Sequence, residues 1–133
     1  MNLIFDACAL IAYLEDEPGA ELVEGLLNSP ADVSFVHAVN LCEAYYGARR
    51  EYGEAAAQAA VAEIRKAGLS MREDMDEELW QEAGRFKADY RKISLADCLC
   101  AALANRIGGE VITADREYKP LKDAGVCRVR FIR

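Results

Sequence analysis

The sequence predicts a single layered α/β domain over residues 1–133, built on a mainly parallel sheet. Short apolar runs that are typical of buried strands alternate with longer segments of helical periodicity. No internal repeat or linker interrupts the chain, whose 133 residues are close to the commonest size of one domain. Since parallel neighbours need crossover connections and helices supply them, this alternation favours a parallel sheet.

In the first half of the chain, an apolar run that ends in an acid predicts a buried strand leading directly into a helix. Pro18 is expected to open the next helix, and the segment 29–32 (Ser-Pro-Ala-Asp) to form a turn. Gly53 separates two further helices. The predicted elements are a strand at 2–6, helices at 7–14 and 18–28, a strand at 33–36, and helices at 38–51 and 54–67.

In the second half, Leu79, Ala83, Phe86 and Tyr90 recur at spacings of four, three and four, which is typical of an amphipathic helix. Gly108 and Gly109 end the helix after it. We expect Trp80 and Tyr90 to be core or subunit contacts. The predicted elements are a possible strand at 69–72, helices at 76–92 and 94–106, a strand at 110–113, a turn or short helix at 117–124, and a strand at 127–131.

Composition is that of a compact, soluble protein, with 53% hydrophobic residues, 29% charged residues and three prolines. The apolar runs are too short to span a bilayer, and Asp6 stands where a secretion signal would carry basic residues. Five cysteines with no C-x-x-C pair fit neither a disulfide framework nor a zinc ribbon. These features predict an unprocessed protein of the reducing cytosol, with no membrane partner.

The formal charge of −7 argues against a surface devoted wholly to nucleic-acid binding. Positive residues are nevertheless concentrated from position 116 onward. This tail can meet phosphate, or it can be an ordinary solvated surface. Its members are Arg116, Lys119, Lys122, Arg128, Arg130 and Arg133.

Three acids stand at or near predicted boundaries between strands and helices. Asp6 and Asp115 each follow the carboxyl end of a strand, where ligands bind in parallel sheets, although either acid also suits a helix cap or turn. Asp97 follows Ser94 at the spacing of a capping box, so a structural role explains it adequately. The same position lets its carboxylate lean toward the sheet edge, and the two roles are compatible.

Glu43 is the most informative acid because it lies inside a predicted helix, on the face of Val39, Tyr46 and Gly47. An unpaired carboxylate on a partly apolar face is costly. Either a buried arginine or a metal ion would explain it, and a metal would also explain the small Gly47. Asn40 is an accessory ligand or a helix cap, with the cap favoured.

Four converging acids would repel one another unless a cation neutralised them, and oxygen ligands suit Mg²⁺ or Mn²⁺. Cysteines lie within two residues of three of the acids, but a mixed thiolate site is disfavoured because helical neighbours diverge. His37, the only histidine, is expected to be a surface or satisfied residue. Neither a G-x-S-x-G elbow nor a Walker loop is present, which leaves hydrolysis by metal-activated water.

Four segments together resemble the ordered motifs of PIN-domain nucleases, and their order and spacing resemble those of VapC-type toxins. The likeness extends from the first predicted strand to the last. The segments are Leu3-Ile-Phe-Asp6-Ala-Cys-Ala-Leu10, Val39-Asn-Leu-Cys-Glu43-Ala-Tyr-Tyr-Gly47, Ser94-Leu-Ala-Asp97-Cys-Leu99 and Ile112-Thr-Ala-Asp115-Arg-Glu-Tyr118.

The resemblance implies a three-layer sandwich in which Asp6, Glu43, Asp97 and Asp115 hold the catalytic metal, with Thr113 as a helper. It further implies a homodimer, Mg²⁺-dependent RNA cleavage that leaves a 5′-phosphate, and silencing by a cognate antitoxin protein. One departure is Cys8, which replaces the serine or threonine usual in this family.

Other functions remain open at this point. An aspartyl-phosphate phosphatase would want a second aspartate at position 8, and a receiver domain would want a phosphoacceptor on a middle strand and a lysine after a strand. A housekeeping RNA-processing nuclease, or a non-catalytic RNA-binding module, would share the fold.

Overall fold

Residues 1–133 are all described by the computed structural model. The strands are β1 (Asn2–Phe5), β2 (Val33–His37), β3 (Ser70–Arg72), β4 (Glu110–Thr113) and β5 (Val129–Phe131). The helices are α1 (Ala7–Leu14), α2 (Ala20–Leu27), α3 (Ala38–Tyr52), α4 (Glu54–Lys66), α5 (Glu77–Asp89), α6 (Leu95–Arg106) and α7 (Lys119–Asp123), with a 3₁₀ turn at Arg116–Tyr118.

The five strands form one parallel sheet in the order β3-β2-β1-β4-β5. The predicted α/β class, parallel sheet and number of strands are therefore confirmed. β1 pairs with β2 on one side and with β4 on the other, so the strand order reverses beside β1. In such sheets the carboxyl ends of the central strands border a crevice, and ligands bind there.

Successive residues of β1 point to opposite faces of the sheet, which produces two cores. On one face Ile4 packs with residues of α5 and α6, among them Leu79 and Leu103. On the other face Leu3 and Phe5 join a second cluster built from α1 to α4. The result is the three-layer sandwich, helices on each side of a central sheet, that the family resemblance implies.

Three elements differ from prediction by two residues or more at one end, and most of the others by one residue. The second helix starts at Ala20 because Gly19, at φ 99°, interrupts the backbone after Pro18. The long amphipathic helix ends at Asp89 instead of residue 92, since Tyr90 leaves the helical region at φ −125°, ψ 77°. The last strand begins at Val129, two residues later than predicted.

Gly109 fits between Asn2 and Ile4, where an added Cβ would lie 2.6 Å from the Asn2 carbonyl oxygen. The Gly108-Gly109 pair therefore ends α6 as predicted and also lets the chain pass close to β1. Trp80 is 48% exposed, so the prediction that it is a core residue is wrong, whereas half-buried Tyr90 packs against the α5–α6 core. A subunit contact at Trp80 stays a prediction. No helix is long and apolar enough to cross a membrane.

Candidate active site

Asp6 lies at the carboxyl end of β1 and is completely buried. One carboxylate oxygen, Oδ1, accepts a hydrogen bond of 2.8 Å from the Ala9 backbone N–H and so caps α1. The other, Oδ2, accepts from the hydroxyl of Thr113. The helix cap considered from sequence is therefore real, but it uses only one of the two oxygens.

Thr113 connects the acids of two neighbouring strands. Its hydroxyl donates to Asp6 and accepts a hydrogen bond of 2.9 Å from the backbone N–H of Asp115. Asp115 in turn accepts a bond of 2.9 Å from the Glu117 N–H and starts the 3₁₀ turn. The buried threonine thus holds the ends of β1 and β4 in a defined relation. Its role as a helper in catalysis stays a prediction.

Asp97 lies in the first turn of α6, where its side chain is nearly buried. Ser94 caps this helix by accepting a bond of 3.2 Å from the Asp97 N–H, as the capping spacing predicts. The hydroxyl of the buried Tyr118 lies 3.4 Å from the Asp97 carbonyl oxygen.

Glu43 projects from the middle of α3 and is half-buried. It forms no ion pair with any arginine or lysine of the chain, so a buried arginine does not explain it. A metal beside Glu43 does not explain the small Gly47. Gly47 instead lines a groove between α1, α3 and α4, and none of the four acids lines that groove.

The prediction that Asn40 caps α3 is wrong. His37 caps α3 instead, since its Nδ1 accepts from the Val39 N–H at 3.1 Å and its Nε2 lies 2.9 Å from the Asp74 carbonyl oxygen. The expectation that His37 is a satisfied residue is therefore confirmed. Asn40 is completely buried, and its amide donates to the Ala96 carbonyl at 3.3 Å. Its Oδ1 has no hydrogen-bond partner.

Burial and neighbouring negative charges raise the pKa values of three of the carboxyls. Burial, with the nearby charges of Asp97 and Asp115 adding to it, raises the pKa of Asp6 to about 8 despite its hydrogen bonds. Burial raises the pKa of Asp97 to about 7, with Asp115 and Glu43 contributing. The pKa of Glu43 is also raised, by burial and then by Asp115. The sheet edge therefore concentrates carboxyls whose ionisation is costly.

All four acids influence the pKa of the Cys8 thiol. Partial desolvation raises the pKa of its thiol to about 12, and the charges of Asp6, Asp115, Asp97 and Glu43 all add to that effect. One side chain thus senses carboxylates from β1, α3, α6 and the end of β4. The four acids, widely separated in sequence, share one neighbourhood in the fold.

A thiolate contribution to this site is disfavoured. All five cysteines are free, and burial raises the pKa of Cys98 to about 11. Cys8 is shifted further still. Both thiols therefore remain protonated at neutral pH, whereas a thiol must ionise to bind a metal well.

The donor set fits a hard, incompletely enclosed cation. No three Asp, Glu, His or Cys side chains are close enough together to hold a metal ion unaided. That openness excludes a closed structural zinc site but suits Mg²⁺, which keeps several waters and is usually bound by one or two carboxylates and substrate phosphate. The orphaned Asn40 oxygen and three carboxyls with raised pKa values are further acceptors that a cation or its waters would satisfy.

Tyr118 is a residue of this site that sequence reasoning missed. Its ring is fully buried and its hydroxyl lies against Asp97. A hydrogen bond from it opposes the rise in the Asp97 pKa. Its position three residues after Asp115 within the fourth motif was the available signal.

The PIN domain family model matches residues 3–123. The chain therefore belongs to the PIN domain family. A comparison with curated protein sequences finds no match.

Solved structures with the same fold come from toxin–antitoxin systems. VapBC-1 from nontypeable Haemophilus influenzae is 18% identical, with 99% of this chain and 98% of that chain covered and a TM-score of 0.72. VapBC2 from Rickettsia felis, bound to a promoter DNA fragment, is 14% identical, with 98% of each chain covered and a TM-score of 0.74. Mycobacterium tuberculosis VapC20, a toxin that cleaves the sarcin-ricin loop, is 19% identical, with 89% and 93% covered and a TM-score of 0.71.

The carboxyls make the stability of the metal-free protein depend on pH. The pKa values of Asp6 and Asp97 in the folded state, about 8 and about 7, exceed the ordinary 3.8, so the folded chain binds more protons than the unfolded chain between these values. The free energy of unfolding should therefore fall as pH rises from about 4 to about 8.

Asp97→Asn should remove part of this decline, raising the free energy of unfolding by about 1–3 kcal/mol at pH 8 and much less at pH 4. Urea denaturation in EDTA at both pH values measures it. Glu24→Gln, which removes an exposed carboxylate from α2, is the matched control and should leave the decline intact. Equal effects of the two variants would show that burial and the neighbouring charges do not raise the pKa of Asp97 as described.

Proposed function

We propose that this protein is a Mg²⁺-dependent endoribonuclease that hydrolyses RNA phosphodiester bonds, and that it acts as the toxin of a toxin–antitoxin pair. The observation that carries the proposal is that Asp6, Glu43, Asp97 and Asp115 all act electrostatically on Cys8, while none of the four pairs with a cation of the chain. Membership of the PIN domain family and the similarity to VapC20 support the same reaction class.

The four carboxylates and the Asn40 oxygen would hold the metal and its waters. The chemistry that Mg²⁺ supplies in such sites is activation of a water molecule and neutralisation of charge on the phosphate. Mn²⁺, which prefers the same oxygen ligands, should substitute.

The chain's own residues set the geometry for this reaction. The hydroxyl of Thr113 holds Asp6 through Oδ2 while the Ala9 N–H holds Oδ1, so the carboxylate cannot rotate freely. Tyr118 and the Ser94 cap place Asp97 at the start of a helix packed into the core. A rigid set of acceptors of this kind orients a nucleophile without further reorganisation.

Cleavage should require Asp97 and Asp6. Asp97→Asn and Asp6→Asn should each reduce Mg²⁺-dependent cleavage of RNA by at least about a hundredfold, because each removes a negative ligand from the metal site. Gel analysis of a labelled RNA, with and without EDTA, measures the rate, and circular dichroism checks the fold. Glu24→Gln should cleave like the unmodified chain. Unchanged cleavage by the aspartate variants would mean that a contaminating nuclease is responsible.

An apolar groove between α1, α3 and α4 supports the antitoxin part of the proposal. It has a volume of about 550 Å³ and a floor that includes Ile11, Ala44 and Gly47. The acids of its rim are Glu15, Glu51 and Glu63. An amphipathic helix with apolar anchors and flanking basic residues is complementary to such a surface.

The antitoxin is therefore expected to place a helix in this groove and a basic side chain among the four carboxylates, where it would neutralise their charge. The similar solved structures include VapBC complexes from H. influenzae and R. felis. A homodimer and a cytoplasmic location complete the proposal.

Expression of the unmodified chain should slow bacterial growth, and co-expression of the cognate antitoxin should restore it. Ala60→Met would fill part of the groove from α4, a helix that carries none of the four acids. It should cleave RNA normally while binding the antitoxin at least about tenfold more weakly, equivalent to about 1.4 kcal/mol. Growth rate and titration of cleavage with antitoxin are the measurements. Harmless expression of an active chain would favour a housekeeping nuclease instead.

A non-catalytic RNA-binding module of the same fold is the second alternative. It would bind RNA without cleaving it in Mg²⁺ or Mn²⁺. The burial of Asp6 and Asp97 at a cost in ionisation disfavours it, because a binding module gains nothing from such carboxyls.

A further inference from the structure

A basic cleft opens beside the acids, and we propose that it binds the backbone phosphates of a single-stranded RNA next to the scissile bond. The basic cleft is the cavity of about 550 Å³ lined by four cations, Arg91, Lys92, Arg116 and Lys119, and by three acids, Asp115, Glu117 and Asp123. Asp115 lines its inner side. This inference rests on the proposed nuclease function, because it assigns the substrate's path at the same site.

One wall of the basic cleft is the turn between α5 and α6, residues 90–93. Lys87 holds this turn in place, since its ammonium group donates bonds of 2.8 Å to the carbonyl oxygens of both Arg91 and Ile93. The Ile93 N–H also donates to the Tyr90 carbonyl at 3.1 Å. The backbone that carries Arg91 and Lys92 is therefore ordered before any ligand arrives, which lowers the entropic cost of binding.

The opposite wall is the 3₁₀ turn and α7. Arg116 donates a bond of 2.7 Å to the Arg133 carbonyl oxygen and stacks on Phe131, with its guanidinium carbon 4.3 Å from the ring centroid. Lys119 pairs with Asp123 at 2.7 Å, with both side chains largely exposed. Such an exposed pair contributes little and exchanges readily for a phosphate.

The charge of the basic cleft is available to a ligand. Arg91, Lys92 and Arg116 form no ion pair with any carboxylate. Lys119 pairs with Asp123, which leaves Arg91, Lys92 and Arg116 with Asp115 and Glu117 among the charged lining residues. The cleft therefore carries an excess of one positive charge in a chain whose formal charge is −7. Phosphate is the anion that this arrangement suits, because an arginine fork can bind its oxygens in a bidentate manner.

The position of the cleft indicates a polymer. A small phosphate ester would be satisfied at the acids alone, whereas the cleft that Asp115 lines is also lined by residues 90–93 and by the segment 116–123. A strand whose scissile phosphate lies at the acids would place neighbouring phosphates among the cations. Contacts of this kind act on the backbone and carry no sequence information.

Binding can be separated from cleavage with Asp97→Asn, which keeps RNA intact. In this background, Arg91→Ala/Lys92→Ala should weaken binding of a labelled single-stranded RNA about tenfold, to a similar extent for different RNA sequences. The slope of log K against log salt should become less steep by about 0.7 for each lost phosphate contact, about 1.4 in all. Fluorescence anisotropy over a salt series measures both quantities.

Arg65→Ala/Lys66→Ala is the matched control, since it removes the same two residue types, also exposed and adjacent, from the end of α4 before the far edge strand β3. It should change the affinity less than twofold and leave the slope unaltered. The exchange Arg91→Lys/Lys92→Arg keeps the charges and should retain most of the binding. Circular dichroism confirms that each variant folds.

The cleft assignment is overturned if the two double-alanine variants weaken binding equally, if Arg91→Ala/Lys92→Ala has no effect, or if duplex DNA competes as well as the single strand. In the cleaving chain the same variant should raise KM with little change in kcat. Failure of the unmodified chain to cleave, with the binding difference intact, would refute the nuclease proposal but not the cleft. Cleavage with an unchanged KM would refute the cleft alone.

Discussion

Burial of carboxyls that no protein cation neutralises, with their mutual repulsion adding to its cost, is the constraint around which this site is organised. Asp6 and Asp97 are buried at a cost that appears as pKa values of about 8 and about 7. A fold normally avoids such a cost by pairing buried acids, as Asp74 is paired with Arg72 and Arg106 elsewhere in this chain. The four acids at the sheet edge have no such partner within the chain. We propose that Mg²⁺, together with an RNA phosphate, supplies it.

The parallel sheet makes this concentration of charge possible. Because all five strands run in one direction, every crossover returns to the same edge, and residues distant in sequence meet there. Thr113 then adjusts the arrangement locally by bonding to both Asp6 and the Asp115 backbone. Helix α6, which carries Asp97, is buried along most of its length, and packing into the core therefore fixes its position. On the proposed function, catalytic geometry and fold stability thus depend on the same elements.

The segregation of charge explains how an acidic protein can act on a polyanion. The overall charge of −7 counts against nucleic-acid binding only if the charges are evenly spread. Here Asp115 belongs to the candidate active site and also lines the basic cleft. Glu15, Glu51 and Glu63 line the separate groove between α1, α3 and α4. In the proposed function these surfaces would receive different partners, RNA in the first region and an antitoxin helix in the second.

Much of this could be predicted from sequence because the signals were local. The apolar run before Asp6, the Ser94 cap and the Gly108-Gly109 stop each determine a nearby element, and the structure confirms them. The errors concern tertiary contacts. Asn40 is not a cap because His37 accepts the hydrogen bond from the Val39 N–H. Trp80 lies in α5 but outside the apolar periodicity of Leu79, Ala83 and Phe86, and it is exposed. The basic cleft joins residues 91 and 116 across the fold, and one-dimensional spacing cannot reveal that.

The central claim is that these acids bind a hard cation jointly, and the most direct measurement is anomalous diffraction from crystals soaked in Mn²⁺. We expect an anomalous peak at the carboxyl edge of the sheet, with oxygen ligands from Asp6 or Asp97 directly or through water, and loss of that peak in Asp97→Asn crystals. An absent peak, or one only at the α2 or α4 surface, would contradict it.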